Sequence, residues 1–190
     1  MSALDYANIH EQLDWHWREQ ARPRLDGLSD AEYFWEPVPD CWSVRPVGVS
    51  PQGTAKGSGP WQIDFAMPQP YPEPVTTIAW RLGHLIVGVF GARAASHFGA
   101  KPADYGTWPY ASGAEEALAQ LDQSFSAWSG GVQALDTEGW QRPIGPAEGL
   151  WAAAPMVDLV LHINREAIHH LAEIALLRDL YLRADQPAAG

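Results

Sequence analysis

The segment Leu161-His162-Ile163-Asn164-Arg165-Glu166-Ala167-Ile168-His169-His170-Leu171-Ala172-Glu173-Ile174 decides how this chain is read. At about 100° per residue its side chains sort into two arcs. Val160, Ile163, Ala167, Leu171 and Ile174 form an apolar stripe. His162, Glu166, His169, His170 and Glu173 gather beside it within about a third of the circumference, with His170 at the seam. The segment is therefore a helix packed on one side, which Pro155 opens and which runs to about Arg183.

Three further stretches share that period. Ile78, Leu82, Leu85, Ile86, Val89 and Phe90 predict a helix capped by Thr76 or Thr77 and stopped at Phe98 by Gly99. Leu118, Leu121, Phe125 and Trp128 predict another, with Ser112 as cap, an acidic first turn and Gly130-Gly131 weakening its end. Leu4, Ile9, Leu13 and Trp17 predict the first, from about Leu4 to Arg22, ended by Pro23. Ser29 with Glu32 has the capping-box spacing before a short helix at Tyr33, Phe34 and Trp35.

Prolines rule out a long helix between Glu36 and Val75. Within it Cys41–Arg45 and Trp61–Phe65 alternate as strands do, flanking a glycine-rich stretch from Gly48 to Gly59, so a two-stranded hairpin is expected. A connection this long is more often functional than not. The expected fold is all-α: an antiparallel four-helix bundle with a crossover and a short β-hairpin between helices 1 and 2. At 190 residues the chain fits one domain, 1–190, with a core that needs no disulfide.

Composition narrows the function. Net charge is −11, which repels phosphate backbones, so no nucleic-acid partner is expected. No stretch approaches the roughly 18 uncharged apolar residues of a membrane span. MSALDYANIHEQ lacks the basic start and apolar block of a signal peptide, and the one cysteine, Cys41, fits a reducing compartment, so a cytoplasmic protein is expected. Cys41 has no cationic neighbour nearer in sequence than Arg45, so it is not expected to be a nucleophile. Most of the ten tryptophans are expected in the core, with a few free to line a small-molecule pocket.

The histidines point to chemistry. Ligands at i and i+4 on one helix can reach one metal ion, and both Glu166 with His170 and His162 with Glu166 have that spacing. A third ligand must come from a neighbouring helix. His84 is the obvious donor, because it sits among Leu82, Leu85 and Ile86, where a histidine needs a partner. The competing readings are a solvated polar face for the last helix and a hydrogen-bonded core histidine at position 84.

The chain resembles the DinB/YfiT-like superfamily, four-helix proteins that include thiol-dependent S-transferases and mycothiol-dependent isomerases. The likeness spans nearly the whole chain. It rests on Gly27-Leu28-Ser29-Asp30-Ala31-Glu32-Tyr33, on Trp42-Ser43-Val44-Arg45, on Thr77-Ile78-Ala79-Trp80-Arg81-Leu82-Gly83-His84-Leu85, and on Asn164 to Ile174. The resemblance implies a divalent metal held by one histidine on the second helix and an H-x-x-x-H pair on the last. By position these fall on His84, Glu166 and His170, with glutamate in place of the first histidine of the pair. A His-Glu-His set suits zinc, nickel, iron or manganese. Alternatively, Glu166 pairs with Arg165 or Arg93 in a site that no longer binds metal.

The implied chemistry is a low-molecular-weight thiol, activated at the metal, attacking a small-molecule electrophile in an S-transferase or isomerase reaction. His162 and His169 are the expected supporting donors or proton acceptors. A non-catalytic ligand-binding module and a stress-related protein with a vestigial metal site are the alternatives. Family members often associate, so a homodimer is expected.

Overall fold

The structure is a computed structural model, and it describes residues 6–51 and 54–184. The expected start at Leu4 and the residues Gln52 and Gly53 of the glycine-rich stretch lie outside the described residues. Four long helical segments enclose the core, as the periodicity predicts. The first is α1 (Tyr6–His16), which continues through a π-helical turn at Trp17–Ala21. A short α2 (Asp30–Tyr33) follows. The second long segment is α3 (Ile78–His84), a π-helical stretch Leu85–Gly91, and α4 (Ala92–Phe98). The third is α5 (Ala114–Gln133); after a short α6 (Thr137–Gln141), the last is α7 (Met156–Tyr181).

The first and second long segments each pack mainly on α5 and α7, so they sit diagonally across the bundle. That placement is why a long connection separates them. Leu13, Trp17, Leu82, Phe90, Leu121, Trp128, Ile163 and Ile174 are among the buried residues that make one cluster from all four segments. Trp17 stacks on Phe125 with ring centroids 3.9 Å apart. Phe98 lies over Gly131, where a Cβ would stand 2.2 Å from its ring, so this glycine brings α4 close to α5 rather than merely weakening a helix end. Gly99 ends α4 in the left-handed conformation (φ 70°). Among the described residues no helix is long and apolar enough to cross a membrane.

Two caps differ from expectation. Ser29 accepts from the Glu32 backbone N–H at 3.3 Å, but the Glu32 carboxylate does not return to close the capping box. It turns to Arg178 on α7, Oε1 to Nε 2.6 Å and Oε2 to Nη2 3.2 Å. The N-cap of α5 is Gly113 rather than Ser112, and the carboxylate of Asp30 caps from α2, accepting from the Ala114 N–H at 2.7 Å. In both cases a charged partner across the bundle wins over the local one, since it offers a stronger bond.

The connection carries three strands, not two. β1 (Val44–Pro46) and β2 (Ala55–Lys56) pair antiparallel on opposite edges of β3 (Trp61–Asp64), with Val44 facing Ile63 and Ala55 facing Asp64. β1 begins at Val44 because Trp42 is spent on α3: its N–H donates to Val75 O and its carbonyl accepts from Thr77 N–H, both at 2.9 Å. Thr77 then caps α3 by accepting from the Trp80 N–H. Trp80 Nε1 donates to Asp64 O at 2.8 Å. The small sheet is thus fastened to the start of the helix that carries Trp80 and His84.

Candidate metal centre

His84 closes α3, and its ring stacks on Trp80 one turn earlier, with centroids 5.3 Å apart and planes 13° from parallel. Its Nδ1 lies 2.5 Å from the hydroxyl of Tyr105, which arrives from the loop after α4. Burial, with smaller effects from the positive charges of His170, Arg81 and Arg93, pushes the His84 pKa down to about 3. The ring is neutral at physiological pH. With its proton on Nδ1, donated to Tyr105, the lone pair is on Nε2.

His170 on α7 meets His84 edge to face, ring centroids 4.7 Å apart at 88°. Its Nδ1 is 2.7 Å from Glu173 Oε2, and Arg81 Nη1 lies 2.8 Å from the same oxygen. Nδ1–H therefore donates to Glu173, whose charge Arg81 balances, and Nε2 faces Glu166 Oε2 at 3.7 Å. Burial holds the His170 pKa below the ordinary histidine value, against the opposing pull of Glu173.

The ligand atoms of His84, Glu166 and His170 lie within 4.8 Å of one another, a separation that modest side-chain rotation can close onto one ion at ~2 Å from each. The residues fit a divalent metal for a reason beyond proximity. Each histidine has its far nitrogen occupied by an orienting group, the arrangement that holds metal-ligating imidazoles in one tautomer. Glu166 pairs with neither Arg165 nor Arg93: among the described residues the basic side chains within 4 Å of its carboxylate are His170 and His162. A second grouping, His169, His170 and Glu173, is also close-set, but the Arg81 guanidinium already supplies its positive charge.

The two remaining histidines of α7 part company. His162 Nδ1 is 3.8 Å from Glu166 Oε1, and the ring lines a cleft of about 680 Å³ together with Arg93, Glu148, Trp151, Leu159 and Arg165. His169 is exposed on the other flank, 3.3 Å from Glu173 Oε1. Cys41 is buried, its Sγ donates to Val38 O at 2.9 Å, and burial pushes its thiol pKa up, the reverse of what a nucleophile needs.

Tyr105, Arg81 and Gly88 were not legible as site residues from the sequence. Gly88 left a trace, as a glycine one turn beyond His84; Tyr105 left none.

The sequence profile of the DinB superfamily matches residues 12–174, from α1 to the end of the histidine segment. The chain belongs to the DinB superfamily. Members of that superfamily generally bind metal, and this DinB-superfamily protein carries a His/Glu cluster that could hold one. No curated protein and no solved structure matches the chain.

Proposed function

We propose that this protein is a metal-dependent enzyme that activates a low-molecular-weight thiol for attack on a small electrophile, an S-transferase or isomerase reaction. His84, Glu166 and His170 hold one divalent ion, with zinc, nickel, iron and manganese as candidates. The observation that carries this reading is the pair of imidazoles whose far nitrogens are held by Tyr105 and Glu173, with Glu166 between them and the cleft.

When bound, a divalent ion with open positions lowers the pKa of a thiol enough to give thiolate at neutral pH. The chain supplies the rest. Trp80 covers one face of His84 and limits water there. Arg81 and Glu173 fix the orientation of His170. His162, at the edge of the cleft and within reach of Glu166, takes the proton that the thiol releases. His169, outside the cleft, acts only through Glu173.

Glu166, where the resemblance leads one to expect histidine, favours a second reading: a ligand-binding bundle with a vestigial metal site. Metal content of protein purified without a chelating tag, followed by consumption of a small thiol with monochlorobimane, separates the two. One equivalent of metal and metal-dependent thiol consumption are expected. No bound metal, with no rise in melting temperature on adding zinc, nickel, iron or manganese, overturns the proposal.

A further inference from the structure

The cleft of about 680 Å³ beside Glu166 falls in the size range of small-molecule sites. Its walls are apolar in the main, with Ile144, Leu159 and Leu161 on one side and the indole of Trp151, 73% exposed, at the mouth. The wall that carries Trp151 is pinned. Glu148, in the 3₁₀ segment Pro146–Trp151, accepts from His97 Nε2 at 3.0 Å and lies 3.3 Å from Arg93 Nη2. These contacts engage the carboxylate of Glu148 and tie the segment that carries Trp151 to α4.

Arg165 is the exception among the arginines. Arg18, Arg22, Arg24, Arg45, Arg81, Arg93 and Arg178 each pair with a carboxylate. Arg142 and Arg183 bond backbone carbonyls. The polar contact of Arg165 is to His162 Nδ1, at 3.4 Å, and it has no carboxylate or carbonyl partner among the described residues. In a chain with 23 acidic and 12 basic residues, Arg165 is the one arginine with neither a carboxylate nor a carbonyl partner among the described residues, and its exposed guanidinium lines a mainly apolar cleft. Its planar fork matches a carboxylate in two parallel hydrogen bonds.

We infer that the cleft binds a small apolar monocarboxylate, its acid group on Arg165 beside His162 and its body against Leu159 and Trp151. Asp158 lines the same cleft two turns earlier on α7, about 10 Å along the helix axis from Arg165. It repels a second carboxylate at the far end, which excludes dicarboxylates of that length. His162 joins the cleft to Glu166, so such a ligand lies next to the metal triad. Binding in the cleft needs no metal; only its role as the electrophile's site rests on the function proposed above.

Isothermal titration of the metal-free protein tests this with 2-naphthoate, its neutral counterpart 2-naphthalenemethanol, and 2,6-naphthalenedicarboxylate. 2-Naphthoate is expected to bind at least tenfold more tightly than the alcohol. Arg165→Gln should remove that advantage and leave the alcohol unchanged. The dicarboxylate should bind worse than 2-naphthoate and recover in Asp158→Asn. Equal binding of acid and alcohol, or indifference to Arg165→Gln, overturns the inference. The titration uses metal-free protein, so a failed carboxylate site shows here, whereas a failed metal site shows only in the metal-content measurement above.

Discussion

Tyr105 reaches His84 only because residue 88 has no side chain. The hydroxyl lies 2.5 Å from His84 Nδ1, and a Cβ on Gly88 would stand 2.2 Å from that same hydroxyl oxygen. The contact orients a ring whose other nitrogen belongs to the candidate metal site.

Tyr105→Phe should therefore keep the fold and weaken metal binding by about tenfold, the usual cost of removing a group that orients a metal-binding histidine. Gly88→Ala should weaken it in the same direction by displacing Tyr105, and cost ~1–3 kcal/mol of stability through overpacking. Competitive titration with a chromophoric chelator reads the first effect and urea unfolding the second. Undiminished affinity in Tyr105→Phe would show that the hydrogen bond is structural only.

The triad itself predicts an order of losses. His84→Ala and His170→Ala should abolish metal binding, because His84 is the ligand that ties α3 to α7 and His170 is the most buried of the three. Glu166→Gln should weaken binding less, since an amide oxygen can still coordinate. Glu166→His should keep or raise affinity for zinc and nickel. Metal stoichiometry after dialysis orders the four variants, and a Glu166→Gln protein worse than His84→Ala would contradict the assignment.

The buried neutral His84 also predicts a pH dependence for the metal-free protein. Its folded pKa is about 3, against about 6.5 in the unfolded chain. Between those values the unfolded state binds more protons, so stability is present above pH 6.5 and is lost as pH falls towards 3. His170, shifted the same way, adds to the loss. The slope should be roughly 1 kcal/mol per pH unit steeper in wild type than in His84→Gln. Urea unfolding at pH 7, 6 and 5 measures it, and parallel slopes would place the titration elsewhere.

Glu32 and Arg178 make a largely buried arginine–carboxylate pair outside the site, with both guanidinium edges engaged. Arg178→Ala leaves a carboxylate without its partner and should cost ~3–5 kcal/mol. Glu32→Gln with Arg178→Met should cost less than Arg178→Ala alone, because no buried charge is left unmatched. Thermal unfolding of the three proteins checks the order.

The sequence by itself determined the four helical segments, since amphipathic period and stop signals such as Pro23 and Gly99 act within a few residues. It also placed Glu166 and His170 together as candidate ligands, since any helix enforces their one-turn spacing, and it singled out His84 through the oddity of a histidine on an apolar stripe. Tertiary structure decided what lies further apart in the chain. Glu32 turned from its local cap to Arg178, Asp30 took over the start of α5, and Trp42 left the expected strand for the approach to α3. In each case a local pattern offered one hydrogen bond, and packing brought a stronger or better-aligned partner from a distant segment. The orienting groups of the candidate site follow the same rule. Glu173 lies one turn from His170 and was visible on its arc. Tyr105 and Arg81 meet His84 and His170 across 21 and 89 residues of chain, a proximity that exists only once the bundle has closed.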